Sequence, residues 1–340
     1  MVRPRERAST PTRTNRVSFP FAPPSLRADE VSLPVPPAIV QQPRPVTMTA
    51  ADKKSMSEAQ TPPLLAPTPA PTIVIQPRRS RSLGLRDLWS HRELTYFLVW
   101  RDVKLRYKQT FFGAGWALIQ PILLMGIFGL FFGRLAGLPA DGLPYPIFVL
   151  AALVPWTFFS SALGASSRSV VAASQVISKV YFPRLLLPVS AASAFLIDLL
   201  LAFTFLVVVE PFFGIYPTWR FVFIPPLMVF ALLTALCMGV WLAALNVRYR
   251  DVIFTVPFLI QALMFASPIG YPSSLIPANL RWLYGLNPLA GLIEGFRWAS
   301  TDVGTHPASE VAVSFVVTII LLLSGLVYFG RSESSFADII

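Results

Sequence analysis

One cysteine and two histidines are all this 340-residue chain carries of the side chains most suited to thiol bonds and soft-metal ligation. The lone thiol, Cys237, excludes an internal disulfide, and its place inside an apolar run leaves thiol chemistry without a partner. His91 and His306 fall on opposite sides of the topology derived below, so no metal site is expected. There is no GxxxxGK(S/T) phosphate loop and no GxGxxG run, so the chain is not expected to hydrolyse ATP or to bind a cofactor itself. A GxSxG elbow, an HExxH helix and a carboxylate pair suited to a lipid-facing cleft are missing too, which leaves catalysis without a seat.

Charge is scarce. Only 13% of residues are charged, and the 17 acidic residues are outnumbered by 28 Lys and Arg. The net charge of +11 raises the question of a nucleic-acid partner. However, 13 of the 28 basic residues lie in residues 1–87, and no basic stripe accompanies a nucleic-acid motif, so none is expected. A juxtamembrane tail drawn to anionic lipid fits that distribution better. Residues 1–87 also hold nearly half of the 33 prolines and show no sustained periodicity, so they are expected to form a disordered cytoplasmic tail. They contain no apolar core of the kind a signal peptide needs, which leaves the first span as the targeting signal.

What the chain has in abundance is apolar length. Residues 54% hydrophobic, with a mean hydropathy of +0.60, gather into six runs at about 111–132, 145–164, 185–209, 221–245, 252–270 and 311–329. Each approaches the ~20 residues needed to cross ~30 Å of hydrocarbon. This predicts an all-α polytopic membrane protein with six transmembrane helices over residues 88–332 and a short C-terminal tail, 333–340. With the N-terminus inside, eleven Lys and Arg of the folded region fall on the inner side and four on the outer. The positive-inside rule then places both termini in the cytoplasm.

Between the tail and the first span, Tyr96, Val99, Trp100, Val103 and Tyr107 recur at helical spacing, with Arg101, Lys104 and Lys108 on another face. The pattern predicts an amphipathic helix along the cytoplasmic interface. Gly129, Gly133 and Gly137 follow one another at four-residue steps, a spacing that lets helices approach closely within one subunit or between two copies. Pro155, Pro225, Pro226, Pro257 and Pro268 are expected to break or kink their spans. Asp198, deep in the third run, is too costly to leave facing lipid and is expected to pair with a polar neighbour. The segment from Tyr271 to Glu310 holds two apolar stretches too short to cross, broken at Asn287 and Pro288; these predict external re-entrant helices. On the inner side, Val176, Val180 and Tyr181 are spaced to form one face of a short helix ended by Pro183, and Asp251 is placed to balance Arg248 or Arg250.

Five tracts occur in order: RYKQTFFGAGWALIQP (106–121), PYPIFVLAALVPWTFFSSAL (144–163), KVYFPRLLLP (179–188), LNVRYRDV (245–252) and LNPLAGLIEGFRW (286–298). Together they resemble the membrane subunits of type 2 ABC exporters for bacterial surface polysaccharides such as O-antigen, capsule and teichoic acid, over residues 88–330. The resemblance implies a homodimeric permease of the bacterial inner membrane, served by two copies of an ABC ATPase subunit that binds ATP and Mg. The cargo it implies is a polyprenyl-linked glycan. It also implies a coupling segment from Ser174, including Ser178, Lys179, Val180, Tyr181, Phe182, Pro183 and Arg184, with Arg248, Arg250 and Asp251 in a second inner loop. Arg101, Lys104 and Arg106 become candidates for receiving the carrier diphosphate, and Trp116, Phe128 and Phe131 for lining a sugar channel. Trp282, Asn287, Pro288, Glu294 and Arg297 become candidates for an external gate. An exporter of drugs or simple lipids would share the fold and stays open at this point.

Overall fold

The computed structural model describes residues 85–108, 115–180, 182–277, 280–303, 307–333 and 336, with only the backbone of 85–87, 281 and 282. The expected tail up to residue 84, together with Tyr181 and His306, lies outside the described residues. Among the described residues the first helix starts at Leu85.

Every regular element among the described residues is helical. A short helix, α1 (Leu85–Ser90), precedes α2 (Arg92–Tyr107). The first apolar run forms α3 (Trp116–Phe128), continued by a wider π-helical stretch, Gly129–Leu135. Next come α4 (Tyr145–Ala172), the single turn α5 (Ser174–Ile177), then α6 (Leu186–Ser193) and α7 (Leu196–Val209), which together form the third run. The fourth run is α8 (Ile224–Arg248) and the fifth α9 (Val252–Ala266). The segment after α9 holds α10 (Arg281–Tyr284) and α11 (Pro288–Thr301), and α12 (Ala308–Ser332) completes the order.

Five of these helical stretches are long and apolar enough to cross a membrane: Trp116–Leu135, Tyr145–Ala172, Leu186–Phe213, Trp219–Arg248 and Ala308–Ser332. The fifth run is shorter than expected. Its helix stops at Ala266, where Ser267 turns extended, and fifteen residues rise only about 22 Å. The prolines act differently from one another. Pro225 and Pro226 sit in the first turn of α8, where a missing N–H costs little, and kink nothing. Pro155, Pro257 and Pro121 lie inside helices that continue through them, while Pro268 lies just beyond the end of α9.

The core is organised around α4. Inside the molecule, 83% of its apolar window is buried, against 11% for the first span, so α4 is the central pillar and α3 a peripheral one. It packs against α8 most extensively, and also against α3, α6, α7 and α11. In lipid such contacts are driven by close packing rather than by water exclusion. Gly239 shows how close: a Cβ there would lie 2.5 Å from the Ser166 hydroxyl of α4. On the far side of α8, Trp241 stacks on Tyr328 of α12 at 4.5 Å between ring centroids and donates to Ser324 Oγ at 3.1 Å. Of the glycine series, Gly133 is packed against the Tyr145 ring of its own subunit, whereas Gly129 meets nothing. The four-residue series therefore does not form one open face.

Candidate functional site

At one end of the bundle, where α4 ends, α2 lies against α6. The side of α2 turned to the protein carries buried Val103 and half-buried Val99, Asp102, Arg106 and Tyr107; Tyr96, Phe97 and Trp100 are exposed. Asp198, near the start of α7, joins this helix to the spans. Its Oδ2 accepts from Arg106 Nη1 at 2.5 Å, and its Oδ1 accepts from the Tyr107 hydroxyl. The Arg106 guanidinium also lies over the Phe195 ring, 3.2 Å from its centroid. The polar neighbours expected for Asp198 are therefore two residues of α2, 92 and 91 positions away. Burial pushes the Tyr107 phenol above its ordinary range, and the Asp198 carboxylate raises it further.

Arg106 and Phe195 stand between two cavities. The larger, about 390 Å³, is lined by Arg101, Arg106 and Arg168, with Asp102, Ser169 and Ser190. The smaller, about 200 Å³, holds Tyr107, Trp116, Gln120, Ser161 and Asp198. Arg101 reaches Asp102 at 2.8 Å, while Lys104 lies over Trp100 at 5.3 Å and lines neither cavity. Among the aromatic channel candidates, Trp116 lines the smaller cavity. Phe128 is buried and stacks on Phe132 at 5.2 Å, and Phe131 is exposed in the C-terminal half of its span. Arg168 was missed in the sequence because the second run was ended at 164. The helix continues to Ala172, and its last turns carry the guanidinium to the cavity.

The expected coupling helix is shorter than its sequence suggests. Because α4 continues to Ala172, only one turn, Ser174–Ile177, precedes the bend at Ser178 to Val180. Ser178 Oγ donates to the Gln175 carbonyl at 3.1 Å, and Lys179 and Val180 are exposed. Phe182 and Pro183 are half-buried at the approach to α6. The second inner loop is also tighter. Asn246 and Val247 are buried residues of α8, and Asn246 Nδ2 donates to the Ser167 carbonyl at 3.0 Å. Only Tyr249 to Asp251 separate α8 from α9. Asp251 forms no ion pair with Arg248 or Arg250 among the described residues, contrary to expectation. It stands at the N-terminus of α9, where a carboxylate complements the helix dipole.

At the other end of α4, the gate candidates Asn287, Glu294 and Arg297 lie around the break in α9. Asn287 caps α11 by accepting from Leu289 N–H at 3.1 Å, and its Nδ2 donates to the Ala266 carbonyl and to Ser267 Oγ, each at 3.1 Å. Arg297, nearly fully buried, donates to Glu294 at 2.9 Å, to the Pro268 carbonyl at 2.7 Å and to the Phe148 carbonyl at 3.3 Å. The Tyr145 hydroxyl donates to the Gly270 carbonyl at 2.8 Å. Carbonyls freed where α9 ends are thus satisfied by side chains from α4 and α11, as water-poor surroundings require. Pro288 starts α11, most of which is buried, and Trp282 lies in the turn α10, where only the backbone is described. Glu210, just past the end of the expected third run, is a second acidic group within the third apolar stretch and is fully buried.

The family model for the ABC-2 type transporter matches residues 93–301, from α2 to the end of α11. An O-antigen export system permease protein of Myxococcus xanthus is 28% identical over 257 residues, covering 75% of this chain and 98% of that one. An O-antigen export system permease protein of Klebsiella pneumoniae is 28% identical over 241 residues, covering 71% and 92%. A polysialic acid transport protein of Escherichia coli is 26% identical over 245 residues, covering 69% and 92%. With the model match spanning more than half of its length, the chain belongs to the ABC-2 type transporter membrane family.

Proposed function

We propose that this chain is the permease subunit of an ATP-driven exporter that carries lipid-linked polysaccharide across the bacterial inner membrane. The observation that carries the proposal is the arginine-lined cavity between the interface helix and the inner ends of the second and third spans. Arg101, Arg106 and Arg168 offer an anionic headgroup charge-assisted hydrogen bonds beside an apolar surface fit for its lipid. Similarity to an O-antigen export permease over 98% of its length and to a polysialic acid transport protein over 92% of its length supports a glycan as the cargo. A polar sugar chain loses its hydrogen bonds in bare hydrocarbon, so its path must run through protein.

In this reading α9 completes a sixth crossing. Its helix rises about 22 Å, and the buried residues 267–270, which bend rather than form helix, carry the chain on from its end. Both termini then lie in the cytoplasm, α2 rests in the inner interface with Tyr96, Phe97 and Trp100 toward the acyl boundary, and α10 and α11 form the re-entrant outer gate. Two copies pair with the glycan path between them. The loosely packed first span, with Leu123, Ile127, Leu130 and Phe131 exposed, supports a second helix surface against it. Two ATPase subunits, which bind ATP and Mg, sit beneath and push on Ser174 to Arg184 and on the 249–251 loop.

The test is to delete this chain and its ATPase separately and locate the glycan. Lipid-linked polymer retained on the cytoplasmic side in both strains is the expected result. Normal surface polymer in either strain overturns the proposal and favours export of a drug or simple lipid.

A further inference from the structure

Arg184 and Glu333 lie 149 positions apart and hold each other's backbone. Arg184 Nη1 donates to the Glu333 main-chain carbonyl, and the Arg184 main-chain N–H donates to Glu333 Oε1 at 3.2 Å. Glu333 is the residue that closes α12, and Arg184 stands just ahead of the first turn of α6. The cation therefore meets the carbonyl end of one helix and the carboxylate meets the N–H end of the other, the favourable sense for both helix dipoles. Phe336 closes the contact. It is 1% exposed, packs edge-on against Phe329 of α12 at 5.3 Å, and lies 5.8 Å beneath the Arg184 guanidinium.

The chain itself connects the coupling segment to α4 and α6 alone. The clasp adds α12, a proline-free helix of 25 residues and so about 37 Å long. Near its other end, Ser314 Oγ accepts from Gly291 N–H of α11 at 3.0 Å and lies within hydrogen-bonding distance of the Gly285 and Asn287 carbonyls. One helix thus touches the inner coupling segment at Arg184 and the outer network at Asn287.

We propose that Glu333 and Phe336 are positioning residues for transport: by holding Arg184 they make α12 move with the coupling segment, so that ATPase action below reaches the outer helix α11. The proposal rests on the reading of Ser174 to Arg184 as the segment on which the ATPase acts. Without the clasp, the ATPase turns over but its push is not delivered to α12.

The experiment uses the full chain in complex with its ATPase, reconstituted in vesicles, with three readouts: ATPase retained, ATP hydrolysed, and glycan exported per ATP. Glu333→Ala and Phe336→Ala are expected to retain the ATPase and to hydrolyse ATP within about twofold of the parent. Export per ATP is expected to fall at least about tenfold, the scale of one lost hydrogen bond to a charged group. Glu333→Gln, which keeps an accepting oxygen for Arg184 N–H, should restore most of the export. Unchanged export per ATP in both Ala variants overturns the proposal, as does loss of the ATPase from either. If the unaltered chain fails to bind the ATPase, it is the reading of the coupling segment that fails.

A second measurement does not depend on destabilising variants. Spin labels on Lys179→Cys and Arg331→Cys, both exposed positions, report the distance between coupling segment and α12 with and without a non-hydrolysable ATP analogue. A clasped pair should hold its distance within about 2 Å, and a change of about 5 Å or more, a full helical-turn slip, overturns the proposal.

Discussion

Asp198→Ala removes the carboxylate that receives both Arg106 and Tyr107, and the interface helix should then separate from the third span. Breaking a buried ion pair costs about 3–5 kcal/mol, whereas exposed pairs are worth about 0–1 kcal/mol. Here the side chains of Arg106 and Asp198 are 29% and 20% exposed, so the pair sits nearer the buried limit but is discounted for solvent. About 2–3 kcal/mol follows, which corresponds to a roughly 30- to 150-fold rise in the undocked helix population. The helix is not expected to be lost altogether, because Val103 stays packed and Arg106 still lies over Phe195. The assay is alkylation of Val103→Cys, a buried position on α2, in the purified protein. Cys237 is the sole native thiol and is buried in α8, so background labelling is low. Labelling of Val103→Cys should accelerate at least about 30-fold when Asp198→Ala is added. A double-mutant cycle with Arg106→Ala should give a coupling of about 1–2 kcal/mol. A labelling rate unchanged by Asp198→Ala, or a coupling below about 0.5 kcal/mol, refutes the assignment of Asp198 as the anchor of this helix.

Arg297→Lys cannot reach Glu294, Pro268 and Phe148 together, and should cost about 3 kcal/mol with faster amide exchange at 269–271; unchanged exchange there counts against the outer network. Gly291→Ala places a Cβ 2.5 Å from the Glu310 carbonyl and 2.6 Å from Ser314 Oγ, and should lower thermal stability by about 1–3 kcal/mol; a neutral effect would mean that α11 and α12 are not in close contact. For Tyr107 the folded-state pKa is raised, so its contribution is fully present below the ordinary phenol value near 10 and is lost only as pH rises further. Ultraviolet difference titration against Tyr107→Phe should therefore show little phenolate from this residue near pH 10, and ordinary half-titration there would contradict its burial beside Asp198.

How far the candidate site could be read from sequence varied by residue. Apolar length located the runs, because each run's capacity to face lipid is a property of its own residues. Helix ends were less legible. Hydropathy leaves Arg168 and Asn246 beyond their apolar runs, yet both lie in the last turns of α4 and α8, since backbone hydrogen bonding carries a helix beyond its hydrophobic limit wherever nothing breaks it. The break in α9 went the other way: Ser267 turns extended because Asn287, Arg297 and Tyr145 satisfy the carbonyls from Ala266 to Gly270, and no local pattern announces those partners.

Composition and order alone thus determined that this is a helical membrane protein, and the order of its tracts pointed to its family. Those are sums over neighbouring residues, and a linear pattern contains them. Which cation meets which carboxylate was decided by the tertiary structure alone. Arg106, a candidate for cargo, is shared with Asp198; Arg297, a candidate gate residue, is built into the core; and Arg184 is held by Glu333 from the far end of the chain. The partners stand 92 positions apart in the first case and 149 in the last, and only the packing of helices around α4 brings them within hydrogen-bonding distance.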